Sequence, residues 1–331
     1  MTIVPLFLPF LVTRDILNAA EWQPKFRAVG AAAVSIATIK NGQLDQAQSI
    51  GDPNHQAFQV GFLSRLPLLI ITFQLVDSKQ LDLDQKVSFY QKTFPLPNNP
   101  FESTNPLLVR HLLTGLSGNT QYKYFGYPTS QNIPPRNEIL KRFIISNAPG
   151  TKQSNSAPDI LLLQAIVEDI TGQTIESLAE IRVFKPLNLT NSSYFEPKNP
   201  NLIAPGEIKR RYYPESSAQG LWSNAADIAA MYAAMIQAYQ NKPSLISKSS
   251  ADLLFSIHTG QSTHGLNRRN LDNSFEIFLG GQCDGYSGNS TLRPLDGAGV
   301  VLLTNGNMAW SAISPAITEA LAKILNPISS R

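Results

Sequence analysis

The stretch Phe58-Gln59-Val60-Gly61-Phe62-Leu63-Ser64-Arg65 opens the most regular pattern in this chain. From Leu63 to Val76 the apolar residues Leu66, Leu69, Ile70, Phe73 and Val76 recur at helical spacing, which predicts a helix. The pattern ends before Leu81-Asp82-Leu83-Asp84. We therefore predict a core helix that begins inside the quoted stretch.

The residues before this stretch predict a helix followed by a β-hairpin. A helical pattern follows Arg14 and runs to about Arg27, and two apolar-rich runs come next, over residues 31–39 and 43–50. Asn41-Gly42 separates the two runs. This dipeptide between two such runs is the strongest short-range signal for a hairpin.

Capping signals mark three later helices. Asn105-Pro106 predicts the start of a short helix that ends at Gly115. Ser156-Ala157-Pro158-Asp159 predicts the start of a longer helix, with Gly172 beyond its end. Asn224-Ala225-Ala226-Asp227 repeats that pattern ahead of another apolar helix face.

The last part of the chain has strand patterns and then a helix pattern. The strands are predicted over residues 275–280, 286–293 and 299–304, and the closing helix over residues 314–325. Because a hairpin begins the chain and strands end it, we predict that the two ends share one sheet, with a helical part inserted between them.

The predicted fold class is therefore α/β (α+β), with an antiparallel sheet flanked by N- and C-terminal helices. Residues 1–61 and 216–331 are expected to form the sheet subdomain, and residues 62–215 a mostly helical subdomain. The two are expected to form one structural unit with a cleft between them.

Composition excludes several classes of protein. A chain of 331 residues, 43% hydrophobic and 15% charged, fits a packed, enzyme-sized body. The net charge of +3 and the short basic run Lys209-Arg210-Arg211 predict no nucleic-acid partner. Cys283 is the only cysteine and the four histidines lack zinc-ligand spacing, so we expect neither a disulfide nor a metal cofactor.

The N-terminal segment Met1 to Val12 is apolar but too short to span a bilayer, so no transmembrane segment is expected. It has no positive start and no small-residue cleavage site. We interpret it as a buried segment that leads into the first helix.

Seven short motifs in a fixed order resemble the serine β-lactamase-like family, which includes class C β-lactamases, D-alanyl-D-alanine peptidases and related esterases. The resemblance runs from about Gly30 to Asn305 and implies the fold of penicillin-binding proteins, a serine hydrolase ancestry and a periplasmic or secreted location, although no clear signal peptide is present. The motifs are Leu75-Val76-Asp77 with Leu81-Asp82-Leu83-Asp84, Val109-Arg110-His111-Leu112-Leu113-Thr114, Pro149-Gly150-Thr151, Ile166-Val167-Glu168-Asp169-Ile170-Thr171-Gly172, Phe184-Lys185-Pro186-Leu187-Asn188-Leu189-Thr190, Gly220-Leu221-Trp222-Ser223, and Val300-Val301-Leu302-Leu303-Thr304-Asn305.

The first catalytic motif of the family is Ser-x-x-Lys, in which the serine attacks a carbonyl carbon and the lysine manages its proton. The matching positions hold Phe62 and Arg65. A phenyl ring has no nucleophile, and a guanidinium that stays protonated cannot act as a base. Ser64 is about 200° round the helix from the nucleophile position and is expected to face elsewhere.

The other catalytic motifs are also substituted. Asn155-Ser156-Ala157 occupies the positions of the family's Tyr-Ser-Asn or Tyr-Ser-Gly, so an amide replaces the phenol that moves the proton. Leu279-Gly280-Gly281 occupies the positions of the His/Lys-x-Gly strand, so Leu279 replaces the polar residue while Gly281 is kept. Gly115 stands where relatives often carry histidine.

Three hypotheses remain open. The first is a pseudoenzyme with a degenerate active site that binds a small apolar or carboxylate-bearing ligand. Its ligand-binding residues would be Phe62, Arg65, Tyr124, Asn155, Leu279, Gly281, Asp284 and Tyr286. Alternatively, Phe62 and Leu279 fill the cleft, and Arg65 pairs with a carboxylate.

The second hypothesis is an enzyme of unusual chemistry in the same cleft, through Asp284, Tyr124, Tyr286 or Cys283; a buried cysteine, however, is more often an inert thiol. The third is a structural protein that binds a protein partner. An open, polar-lined cavity would favour a ligand or an enzyme, and a closed cleft would favour a partner.

Overall fold

The computed structural model describes residues 15–128, 130–154, 156–206, 211–307 and 309–326. The α-helices in these ranges are α1 Ala19–Ala28, α2 Leu66–Asp77, α3 Val87–Tyr90, α4 Val109–Thr114, α5 Arg136–Leu140, α6 Ala157–Thr171, α7 Ile175–Ala179, α8 Ala225–Tyr239, α9 Lys248–Phe255 and α10 Trp310–Leu325. The strands are β1 Val34–Lys40, β2 Gln43–Ile50, β3 Phe58–Gln59, β4 Trp222–Ser223, β5 Asn267–Asn270, β6 Phe275–Cys283, β7 Tyr286–Arg293 and β8 Ala298–Thr304. Shorter 3-10 or π-helical turns cover Gly61–Arg65, Glu180–Phe184, Pro200–Leu202 and Ser216–Gly220.

Six strands form one antiparallel sheet in the order β2-β1-β8-β7-β6-β5. The first hairpin joins the C-terminal strands through β1 and β8, where Val34 pairs with Thr304. The two ends of the chain therefore share one sheet, as predicted. The two short strands β3 and β4 pair separately, and β3 leads into the turn that carries Phe62.

The hairpin turn is the one that its sequence predicts. Asn41 and Gly42 both have positive φ angles, 54° and 74°. Such a pair of left-handed residues makes the tight turn whose twist matches that of the two strands, and asparagine and glycine adopt it at low energetic cost.

Two hydrophobic cores lie on the two faces of the sheet. On one face α1 and α10 pack against the sheet through Phe26, Ile313 and Ile36. The other core contains the apolar side chains of α2, α6 and α8 together with Val301 and Leu303 of β8. Helix α2 is buried nearly all round, which explains its almost continuous apolar sequence.

The predicted caps of α6 and α8 are confirmed. The Ser156 Oγ accepts a hydrogen bond from the Asp159 backbone N–H at 3.3 Å, and the Asn224 Oδ1 accepts one from the Asp227 N–H at 2.9 Å. Gly172 ends α6 in the left-handed conformation. Both caps satisfy backbone donors that a helix start leaves unpaired.

The predicted cap at Asn105 is wrong. Helix α4 begins later, at Val109, and the Leu108 N–H at its start donates to the Nδ1 of His111. The Asn105 side chain instead donates to the Pro149 carbonyl, which ties the preceding loop to a neighbouring one. Strand β5 has no clear sequence pattern either, because this edge strand is polar and half exposed.

Two glycines allow the Phe62 turn to press against β6. A Cβ on Gly281 would lie inside van der Waals contact of the Val60 carbonyl oxygen. A Cβ on Gly61, whose φ is +55°, would overlap the backbone of Gln282. Only glycine at both positions lets the two backbones approach so closely.

We expect Gly281→Ala to lower the free energy of unfolding by about 1–3 kcal/mol or more, because the backbone at Val60 cannot move aside without disturbing both sheets. Denaturant unfolding measures the change. Gly280→Ala is the matched control on the same strand, since its Cβ would meet the ring edge of Trp310, a side chain, and no backbone atom closer than 3.9 Å. Equal losses in the two variants would contradict the close-approach explanation.

Candidate functional site

A cavity of about 170 Å³ lies beside the Phe62 turn. Phe62 and Arg65 line it from the turn, Asp159 from α6 and Leu279 from β6. Tyr122 also lines it and is 56% exposed, so this ring stands at the solvent side. The cavity thus lies where the helical part of the chain meets the sheet.

The Phe62 ring occupies the start of the helical segment. It meets the Tyr122 ring edge to face, with 5.2 Å between the ring centroids and an interplanar angle of 86°. The Arg65 guanidinium carbon lies 5.4 Å from the Phe62 centroid. These contacts hold an apolar ring at the cavity wall without closing the cavity.

Ser64 faces away from the cavity. Its side chain is fully buried, and its Oγ accepts a hydrogen bond from the Leu221 N–H at 3.0 Å. Its carbonyl accepts one from the Tyr194 hydroxyl at 2.8 Å. The nearby serine is therefore a structural residue, as its helical position predicted.

Arg65 is a cation without a carboxylate hydrogen bond in the described part of the chain. Its Nη1 donates to the Gly265 carbonyl at 3.4 Å, and its buried Nε has no partner. Burial lowers the pKa of Arg65 to about 10, so the guanidinium stays charged at neutral pH. The expected structural pairing of Arg65 with a carboxylate is thus absent from the described residues.

Asp159 presents a buried carboxyl group to the same cavity. The residue is 1% exposed, and its Oδ1 accepts a hydrogen bond from the Ser117 hydroxyl at 2.6 Å. Its Oδ2 has no hydrogen-bond partner. Burial raises the pKa of Asp159 to about 8, against the favourable effect of Ser117, Ser156 and Arg65. Asp159 therefore holds a proton near neutral pH.

Four other predicted ligand-binding residues are not among the described residues that line the cavity. Tyr124 and Tyr286 are buried, and the Tyr286 hydroxyl donates to the Ala204 carbonyl at 2.7 Å. Asp284 forms an ion pair with Arg211 at 2.9 Å. Gly281 faces Val60 rather than open space. None of these four residues contributes to the described wall of this cavity.

The second motif lies partly outside the described residues, because Asn155 is one of those not described. Ser154 and Ser156 on either side of it line the cavity, whereas Ala157 is the buried first residue of α6. The N-terminal segment Met1 to Val12 also falls outside the described ranges.

Cys283 has the environment of an inert thiol. It is buried, and its Sγ lies 3.5 Å from the Gln59 carbonyl oxygen. Burial raises the pKa of this thiol above its ordinary value, which disfavours the reactive thiolate.

Metal-ligating side chains do not form a group of three or more in the part of the chain that the structure describes. None of the helices in that part is both long and apolar enough to cross a membrane.

Asp159 is the ionisable carboxyl group among the described cavity residues that sequence reasoning missed, because it was interpreted only as part of a helix cap. A carboxyl group in the first turn of a helix is normally exposed and stabilised by the helix dipole. The apolar run that follows Asp159, from Ile160 to Leu163, indicates a helix that is buried on several sides. This run could have identified Asp159 as a buried carboxyl group.

The fold is similar to those of solved penicillin-binding-protein and β-lactamase/D-alanine carboxypeptidase structures. An octameric penicillin-binding protein homologue from Pyrococcus abyssi superposes with a TM-score of 0.76 at 20% identity, over 93% of this chain and 78% of that one. A β-lactamase/D-alanine carboxypeptidase from Yersinia pestis, complexed with citrate, gives 0.72 at 16% identity, over 95% and 100%. The architecture is thus the β-lactamase/transpeptidase-like fold.

The sequence model of the Beta-lactamase family matches residues 26–322. The chain therefore belongs to the β-lactamase family. It is 28% identical over 281 residues to the N-acetylmuramyl-L-alanine amidase of Bacillus subtilis, an alignment that covers 70% of this chain and 64% of that protein. The chain spans less than two thirds of the length of the curated relatives it matches first.

The protonated Asp159 predicts a pH-dependent stability. The folded state keeps this proton up to about pH 8, whereas an aspartate in the unfolded chain releases it near its ordinary pKa of 3.8. Between these values the folded state binds more protons, so this group's contribution to stability falls as the pH rises. Asp159→Asn keeps the shape but cannot ionise.

We therefore expect the free energy of unfolding of Asp159→Asn to rise relative to that of the unmodified protein as the pH goes from 5 to 8. Urea unfolding at several pH values measures the difference. Asp252→Asn, on the exposed face of α9, is the control. A difference that stays constant with pH would show that Asp159 is ionised in the folded state.

Proposed function

We propose that this protein is a non-catalytic member of the β-lactamase family that binds a small ligand in the cavity beside Phe62. The observation that carries the proposal is the Phe62 ring itself, held by Tyr122 at the head of the helical segment. No acyl group can form a bond to a phenyl ring. Ser64, two residues on, is fixed by Leu221 and Tyr194 on the other side of the turn.

The proton-transfer groups of the family are replaced as well. Arg65 stands at the lysine position and stays charged at neutral pH. Leu279 stands at the position of the polar strand residue, and Asn155 at that of the tyrosine. The relatives are named for hydrolysis of amide and peptide bonds. We propose that this chain has the fold of these relatives but lacks their hydrolytic activity.

An open cavity supports ligand binding over a purely structural or partner-binding role. Phe62 and Leu279 line the cavity together and leave about 170 Å³ between the walls. A cavity of about 150 Å³ is enough for a benzene-sized molecule. A drug-sized ligand would need several hundred Å³, so only a small ligand can be held entirely inside.

A second candidate is an enzyme of unusual chemistry, which the Asp159 carboxyl group favours. Groups with strongly raised pKa values in a cleft are frequent in active sites. Asp159 faces a cavity that Ser154 and Ser262 also line. The residues first considered for such chemistry, Asp284 and Cys283, have structural environments instead.

We expect no covalent labelling by fluorophosphonates or penicillins and no turnover of chromogenic β-lactams or short-chain nitrophenyl esters above the buffer rate. Without a nucleophile at residue 62 no acyl-enzyme can form. Intact-protein mass spectrometry measures the labelling, with an active serine β-lactamase as the positive control. A stoichiometric adduct would overturn the proposal.

We also expect the double variant Phe62→Ser with Arg65→Lys to stay inactive, because Asn155 and Leu279 would still replace the family's proton-transfer groups. The same ester and β-lactam assays measure it, and circular dichroism checks that the variant folds. Recovered esterase activity would show that the changes at residues 155 and 279 do not by themselves prevent catalysis.

A further inference from the structure

We propose that one wall of the cavity opens at mildly acidic pH, because two imidazoles that hold it in place then take up protons. The wall is the segment of residues 258–267, which contributes Ser262, Gly265, Leu266 and Asn267 to the lining. The two imidazoles belong to His111 and His264. The opening concerns the protein alone and requires no ligand, so it is independent of the proposed function.

His264 anchors the 258–267 segment in the interior, where it is 3% exposed. Its Nδ1 lies 2.8 Å from the Leu253 carbonyl oxygen, and since a carbonyl only accepts, Nδ1 carries the hydrogen. A further proton would go on Nε2, which is enclosed and has no hydrogen-bond partner among the described residues. That proton would leave a charged, unpaired N–H inside the protein, so the closed segment disfavours it.

His111 on α4 disfavours a proton for a different reason. Its Nδ1 accepts a hydrogen bond from the Leu108 N–H at 3.2 Å, so Nε2 carries the hydrogen of the neutral ring. A second proton would go on Nδ1 and remove the acceptor at the start of this helix. Burial, with smaller contributions from His258 and Arg110, lowers the pKa of His111 to about 4. Burial is also the main cause that lowers the pKa of His264 to about 4.

The charges around these histidines do not offset their burial. The His258 and His264 rings lie 5.7 Å apart between centroids, and burial lowers the pKa of His258 as well. Arg110 disfavours and Asp84 favours a proton on all three histidines, and these two residues form an ion pair with each other. The Phe73 ring, which carries no charge, packs edge to face with His264. The three imidazoles are therefore neutral at pH 7, and the carboxylate that acts on them is already paired.

The 258–267 segment can open without unfolding of the whole chain. Its backbone makes local hydrogen bonds, such as that from the His258 N–H to the Ser262 carbonyl at 2.8 Å. The Ser262 hydroxyl ties it to the end of α4 through the Thr114 carbonyl at 3.1 Å, and His264 ties it to Leu253. A segment held by a few side-chain bonds opens at a lower free energy than a packed helix or a central strand.

Acid acts differently on two parts of the cavity wall. A histidine whose pKa in the folded state lies below its ordinary value of 6.5 contributes stability that is present above pH 6.5 and lost as the pH falls toward 4. Asp159 on α6 keeps its proton as the pH falls, so acid does not destabilise its part of the wall. The expected opening is therefore confined to the 258–267 segment.

Hydrogen–deuterium exchange of the unmodified protein at pH 7.5 and pH 5, corrected for the intrinsic exchange rate at each pH, tests the opening. We expect the protection of residues 258–267 to fall at least about tenfold, because each histidine binds its proton about two pH units more weakly in the closed state. Residues 156–163 at the start of α6 are the internal control and should keep their protection.

Variants assign the effect to the two imidazoles. His264→Asn supplies an amide that can still donate to the Leu253 carbonyl, and His111→Asn one that can still accept from the Leu108 N–H. Neither amide can take up a proton, so the double variant should lose the fall in protection. His55→Asn, in the loop between β2 and β3, is the matched control and should retain it.

Equal loss of protection over residues 258–267 and 156–163 would mean global acid unfolding, and unchanged protection would mean that the segment stays closed. Either result overturns the proposed opening, and a fall that persists in the double variant overturns the role of the histidines. NMR titration of the unmodified protein is a second readout that needs no variant to fold. We expect His111 and His264 to titrate well below pH 6.5, and titration near 6.5 would contradict the opening.

Discussion

The contact between Gly61 and the Gly281–Gln282 backbone is the constraint on which the site depends. It brings the end of β3 against β6, and thereby fixes Phe62, Arg65 and Leu279 around one space. Neither backbone could approach if its glycine carried a Cβ. The phenyl ring of Phe62 lies at the point where the two backbones approach.

Much of the fold could be predicted because its signals are local. Residues within three positions of one another determine the turn at Asn41-Gly42 and the caps at Ser156 and Asn224. Such neighbouring residues can be read directly from the sequence. Asn105 failed as a cap for a tertiary reason, since its side chain bonds to the loop at Pro149 instead. The edge strand β5 left no pattern because neither face is fully buried.

Only the site residues that belong to the sequence motifs could be predicted. Their order placed Phe62, Arg65 and Leu279 in one cleft, and the structure brings these three together. Tyr286 and Asp284 are close to the cleft in sequence, yet they bond to Ala204 and Arg211. The unpaired oxygen of Asp159 depends on what covers α6, which a sequence does not display.

Arg65 and Asp159 are two polar groups in the cavity wall that the packing of the core does not require. A desolvated guanidinium without an acid partner and a carboxyl group that keeps its proton both lower stability relative to apolar side chains of similar volume. Apolar residues of similar volume, such as methionine and leucine, would fill the same space at a lower cost in free energy. Both groups line one cavity, together with the polar side chains of Ser154 and Ser262, so the wall of this cavity is unlike the apolar core around it.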